Sequence, residues 1–333
     1  MYYLVTCLRN FDSPDLEKGY RIEVSDVPAF TITKSHPNVM DIISNNEYLA
    51  FIGSANFHEL ASNYFAIQLF EADSRLEEET EYKHLSNFMQ YAEAFGTAMW
   101  FVKDNSVTLS IGTISYALPG GGHSRIRRNS FISDARAQFE TTSFDRFEMN
   151  QAKEWFQKII AISAKKLKRN GEAPVGYDNL SNFMTFDVPS FQRAMHFLGA
   201  ARKADFLPAK ITSYISVLEC LFATKGENTQ KVSERAACFI AENTTERIKV
   251  FNDVRDSYRV RSDYIHGSEI KGSQHAQMPE ISSTLDEIVR RVMKKMFMEH
   301  PELNYNNSNK KDKSRKSMEQ VDKWFDELVL SRE

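Results

Sequence analysis

The stretch RVRSDYIHG, Arg259 to Gly267, sets Arg261 five residues before His266, which stands next to a glycine. An imidazole can take up or release a proton near neutral pH. A guanidinium stays charged and can hold two phosphate oxygens at once, stabilising the charge that builds on a five-coordinate phosphorus. Together these groups suit cleavage of a phosphodiester. RNA fits best, because its 2′-hydroxyl is an internal nucleophile that DNA lacks. No Asp, Glu or His cluster with metal-ligand spacing lies nearby in the sequence, so the expected route uses neither metal nor cofactor. A plainer reading also fits: a solvated arginine, and a histidine favoured by the helix dipole before a terminating glycine.

On an ideal helix, five residues advance about 140° and ~7.5 Å. Arg261 and His266 therefore do not share a face. They converge if Arg261 reaches around, if the helix ends at His266, or if a second copy of the chain supplies the partner group. Gly267 favours the second route, and a symmetric dimer would supply the third. Arg259, seven residues before His266, lies close to its face and is an alternative phosphate-binding cation. Tyr264 offers a ring for stacking a base or for packing.

The elements that must position these residues are legible in the periodicity. From about Met149 the pattern is helical almost throughout. NTQKVSERAACFIAEN starts at Asn228 or Thr229, both suitable N-caps. In the next helix Ile248, Phe251, Val254, Tyr258 and Ile265 recur at roughly helical intervals, and Gly267 ends it. A linker containing His275 then leads to a helix with Pro279 at its first position. The N-terminal part reads as strands: YYLVTCL, YRIEVSDV, AFTITKS, YLAFIGS, YFAIQLFE and SVTLSIGTISYAL, with one helix over Leu85–Val102. A glycine-rich, basic loop, Pro119–Asn129, follows. The expected fold class is α+β: a β-rich domain over 1–148, an all-α bundle over 149–300, and a polar, basic linker with a short C-terminal helix over 301–333.

Three pieces of the helical part, in order, resemble the HEPN superfamily, in particular the ApeA-like group of bacterial defence proteins. YISVLECLF carries Glu219 just before a Leu/Phe pair. KVSERAACFI carries an Glu-Arg dipeptide ending at Arg235. YRVRSDYIHG carries an R-x4-H motif made by Arg261 and His266, with Ser262 where other HEPN groups often have Asn, Asp or His. The resemblance covers about 150–300. It implies a helical bundle that forms a homodimer, so that two R-x4-H motifs line one cleft. It implies an endoribonuclease of a toxin–antitoxin or abortive-infection, anti-phage system, with an antitoxin or a phage-derived trigger as a further partner. Some members only bind RNA or hold a complex together. Glu219 and Arg235 then have two readings: an interhelical ion pair, or Glu219 orienting His266 or Arg261.

Composition sets the outer limits. A formal net charge of −3 argues against a protein that coats nucleic acid, so any cationic cleft must be local. Arg125, Arg127 and Arg128 either grip phosphates or sit on a mobile surface loop. That loop lacks the spacing of a P-loop. Three scattered cysteines give neither a disulfide framework nor a zinc site and suit a reducing cytoplasm. No run of about 18 apolar residues predicts a membrane span, and the first residues do not read as a secretion signal. The N-terminal domain is the expected sensing or restraining part, and a ligand-sensing regulator is the reading from a different class.

Overall fold

A computed structural model divides the chain into two compact units, Met1–Phe131 with Phe139–Asp178, and Ile132–Gln138 with Asn179–Glu333. The structure describes all residues but 17, 37–45, 117–122, 128–130, 168–188, 223–227, 268–271, 306–315 and 332–333, and only the backbone of 125–127, 162–167, 228, 273 and 274. The fold is α+β, as the sequence predicts. No helix among the described residues is long and apolar enough to cross a membrane.

In the first unit the elements run β1 (Tyr2–Arg9), β2 (Phe11–Asp12), β3 (Tyr20–Val24), β4 (Val27–Thr33), α1 (Asn46–Ile52), α2 (Ser54–Ser62), β5 (Tyr64–Phe70), α3 (Glu78–Val102), β6 (Thr108–Tyr116), β7 (His123–Arg127), β8 (Thr142–Ser143) and α4 (Arg146–Leu167). Six strands form one antiparallel sheet in the order β3-β4-β5-β1-β6-β7, and β2 pairs with β8. Helices cover both faces, so β1 and β6 are buried along nearly their whole length. Side chains alternate along a strand. Tyr3, Val5 and Cys7 therefore pack with Tyr48, Ile52 and Leu60 of α1 and α2 on one face. On the other face Phe30 meets Phe88 and Phe95 of α3 and Phe156 of α4, at 6.2, 6.1 and 6.1 Å between ring centres.

Four expectations are corrected here. YLAFIGS is helix α1 with its C-terminal turn, because Tyr48 and Ile52, four apart, bury one helical stripe against the sheet. Its aromatic and branched residues carry strand propensity, but tertiary burial overrides it. Residues 123–127 of the expected basic loop are an edge strand paired with β6. The helix from 146 to 167 belongs to the first unit rather than opening the helical one, since Phe156 completes the aromatic cluster of the sheet and Trp155 stacks on Phe101 at 4.5 Å. The first unit thus does not end at 148.

Gly112 of β6 lets α3 approach closely. A Cβ there would collide with Met89 Sδ and stand 2.9 Å from its Cγ, and Met89 is fully buried. Gly112→Ala is expected to destabilise the protein by about 1–3 kcal/mol through overpacking, measured as a lower urea midpoint with an unchanged slope.

The second unit contains α5 (Ser190–Lys203), α6 (Leu207–Phe222), α7 (Asn228–Ile240), α8 (Thr244–His266), α9 (Gly272–Glu299) and α10 (Met318–Leu330). Helix α6 is its centre and packs against α5, α7, α8 and α9. Two of its buried polar side chains are satisfied internally: Tyr214 donates to the buried Asp286 of α9 at 2.6 Å, and Lys210 donates to the Ala201 carbonyl at 2.7 Å. The fourth correction lies in α9. It starts at Gly272, so Pro279 is interior and exposed His275 is helical rather than part of a linker. Helix α10 also joins this unit, burying Val321 and Phe325.

Candidate active site

Helix α8 is fixed at both ends. The Asn243 side chain accepts the Glu246 N–H at 2.9 Å, and the Glu246 carboxylate accepts the Glu242 N–H at 2.8 Å. At the other end Gly267 adopts φ 68° and ψ 24°, and its N–H bonds the Asp263 carbonyl. A left-handed glycine at this position stops the helix one residue after His266. The rotation of α8 is set by Val250, Val254 and Tyr258, which are buried four residues apart. Arg261, three residues beyond Tyr258, falls beside that stripe and is half-buried. Arg259, Ser262 and His266, spaced by three and four, are all exposed.

Arg261, Tyr258 and Glu219 meet between α8 and α6. Arg261 places one guanidinium nitrogen 3.2 Å from Glu219 Oε1 and donates with the other to Oε2 at 3.3 Å. The Tyr258 hydroxyl donates to Oε1 at 3.2 Å. The guanidinium carbon lies 5.8 Å from the Tyr258 ring centre. Burial, reinforced by the Glu219 carboxylate, raises the Tyr258 phenol above its ordinary range. Tyr258 therefore stays protonated and acts as a donor. The pair retains 29% and 21% side-chain exposure, so it borders solvent.

Of the two readings of Glu219, the geometry has it holding Arg261. The sequence places Tyr258 in the buried stripe alone; its spacing of three from Arg261 is the sign that it belongs to this group. Tyr258→Phe should cost about 0.5–1.5 kcal/mol by removing one hydrogen bond to the carboxylate, read from urea unfolding.

The remaining candidates are not gathered with these three. His266 makes no hydrogen bond or ion pair among the described residues and stands exposed at the helix end. Arg259 pairs with Asp256 at 2.9 Å. Tyr264 is 41% exposed and meets the also exposed Phe206 edge-on at 5.7 Å. Arg235 does not pair with Glu219. It is 1% exposed and bonds the Phe222 carbonyl and Asp322 and Asp326 of α10, so its role is to fasten α10. The backbone of Arg125 and Arg127 lies on β7, while Arg128 and the glycines at 120–122 lie outside the described residues.

No family model, curated protein or solved structure matches this chain. Within the second unit the three motif segments fall on α6, α7 and α8.

Proposed function

We propose that this chain is a homodimeric, metal-independent endoribonuclease of the HEPN type, acting in the cytoplasm as an effector of a bacterial anti-phage or toxin–antitoxin system. The observation that carries the reading is the termination of α8. The glycine cap leaves the His266 imidazole exposed at the helix end, while earlier on the same helix Arg261 is anchored by Glu219, itself held by Tyr258, with part of its guanidinium open to solvent. In the reaction a 2′-oxygen attacks the adjacent phosphorus and its proton passes to an imidazole. The phosphorus–5′-oxygen bond breaks, the leaving oxygen takes up a proton, and a 2′,3′-cyclic phosphate remains. Arg261 offsets the charge on the phosphate oxygens. Because one helix spreads Arg261 and His266 about 140° apart, a two-fold axis through this region is the arrangement that brings four such groups to one cleft.

A second reading has support of its own. The ion pair with Glu219 already occupies Arg261, which suits a non-catalytic module that binds RNA or a partner and uses the pair as an interhelical strut. Incubating the full-length protein with RNA in excess chelator separates the two. Cleavage to 2′,3′-cyclic ends, by a species of dimer mass in light scattering, supports the first; intact RNA under all conditions supports the second.

A further inference from the structure

After β7 the chain leaves the first unit, and Ile132–Gln138 belong to the second before β8 begins. The segment is built in rather than laid on: Ser133 and Ala135 are 2% and 1% exposed. A helix leaves its last four carbonyls without partners of its own, and α5 finds them here. The Ser133 N–H donates to the Arg202 carbonyl at 2.9 Å, and Ser133 Oγ donates to the Ala204 carbonyl at 2.8 Å. Lys210, wholly buried in the first turn of α6, donates to the Ala201 carbonyl at 2.7 Å and to the Ser133 carbonyl at 3.4 Å. The segment thus caps α5 and supplies an acceptor to a buried ammonium, a group that is costly to leave short of partners.

The shape of the segment is held by its own bonds. Asp134 accepts the N–H groups of Arg136 and Gln138 at 2.9 and 2.8 Å, and Ala137 sits at φ 61°, a left-handed conformation that residues with a Cβ seldom adopt. Such a conformation persists where the surroundings enforce it. The corner that receives the segment also reaches the end of α8 that carries the candidate site. Phe206, two residues after Ala204, meets Tyr264 edge-on at 5.7 Å, and Tyr264 stands two residues before His266. Arg136 pairs with Glu280 of α9 at 2.6 Å. The exit of the segment is tied into the first unit, where Ser106 Oγ donates to the Glu140 carbonyl at 2.7 Å and the Thr142 N–H to the Asn10 carbonyl at 2.9 Å.

We propose that Ile132–Gln138 is a strap whose docking keeps the end of α8, Tyr264–Gly267, in order, so that a ligand or partner of the first unit regulates the site by docking or releasing it. Release costs the bonds to α5 but relaxes Ala137 and lets water reach Lys210, so the two states form a balance that differential binding can tilt. The route runs from Ser133 through the Ala204–Phe206 corner to Tyr264. Its effect on cleavage rests on the ribonuclease reading; the coupling itself does not.

Hydrogen–deuterium exchange on the full chain tests it. Ser133→Pro removes the donors to Arg202 and Ala204 and alters no helix. Exchange at the amides of Tyr264–Gly267 should rise at least tenfold, along with that of 132–138, while α7 exchanges as in the parent. If this variant loosens the whole second unit, α7 included, Ser133→Ala with Arg136→Ala, which keeps the backbone bond, gives the same comparison. Phe206→Ala should raise exchange at Tyr264–Gly267 by itself. Adding Ser133→Pro to it should change nothing further there, because successive steps of one path are not additive. The strap variant should also cut RNA at least tenfold more slowly at saturating substrate. Parent rates of exchange at Tyr264–Gly267 in a variant whose strap has been released overturn the proposal. So do additive effects of the two substitutions, or unchanged cleavage by the released variant. Intact RNA with the parent protein removes the ribonuclease reading, and the exchange rates still decide the coupling.

Discussion

His266→Ala is expected to reduce RNA cleavage by about 10²–10⁴-fold while the protein remains folded and dimeric. That range is the usual contribution of a positioned general acid or base. The variant is structurally mild: His266 is the last residue of α8, exposed, and without a side-chain partner among the described residues. Arg261→Ala should lose cleavage to a similar degree, ~10²–10³-fold, the effect of removing one preorganised stabiliser of transition-state charge. That variant also strands the Glu219 carboxylate, so the double change Arg261→Ala with Glu219→Gln is the better reagent. It removes the uncompensated charge and should recover stability without recovering activity. Initial rates on a defined RNA in chelator, alongside melting temperatures, give the answer. Wild-type cleavage by His266→Ala would remove this site from consideration. Arg259→Ala should be milder than Arg261→Ala, and a complete loss there would move the phosphate-binding role one turn back along α8.

The Glu219–Arg261 pair makes these measurements informative in a further way. Under the catalytic reading Glu219 is a positioning residue. Glu219→Gln then keeps the Tyr258 hydrogen bond, frees the guanidinium to wander, and lowers the rate at saturating RNA more than it changes the KM. Under the strut reading the same substitution changes stability alone.

Much of this was legible in the sequence, where one strong pattern governed one element. Gly267 gave α8 its end, but of the expected stripe only Val254 and Tyr258 are buried; Ile248 and Ile265 are 58% and 55% exposed, and Val250 takes their place on the buried face. The richness of YYLVTCL and YFAIQLF in β-branched and aromatic residues placed β1 and β5. The failures share a cause: the deciding contact lay far along the chain. Tyr48 and Ile52 have strand-like neighbours, but α1 is specified by the sheet surface it covers. Phe156 looks like any apolar helix residue until Phe30 and Phe95 are beside it. Pro279 carries the usual mark of a helix start, yet the helix runs back to Gly272. At the site, the half-burial of Arg261 followed from its place three residues after Tyr258. Its bond to Glu219, 42 residues earlier, could be weighed from the sequence but not decided.

Arg235 illustrates the same limit, and it carries the largest stability effect expected in the second unit. It is 1% exposed, and its guanidinium reaches the Phe222 carbonyl at 2.7 Å, Asp322 at 2.7 Å and Asp326 at 2.7 Å. The two aspartates sit four apart on α10, whose Phe325 lies 5.0 Å from Phe222 and 5.8 Å from Phe239. Arg235→Ala leaves a buried carbonyl unpaired, opens space beneath Phe325 and releases two carboxylates from their cation. Removing one member of a buried pair costs about 3–5 kcal/mol. The partners here are 37% and 53% exposed and can rehydrate, which discounts the Coulombic part. A loss of about 2–4 kcal/mol is therefore expected in urea unfolding. Asp326→Asn should cost under about 1 kcal/mol, since Asp322 keeps the guanidinium paired. If Arg235→Ala unfolds within about 0.5 kcal/mol of the parent, α10 is not fastened in this way. If it is destabilised as expected, any loss of RNA cleavage should disappear at temperatures where the variant is fully folded; a residual defect there would return Arg235 to the list of residues acting on the site.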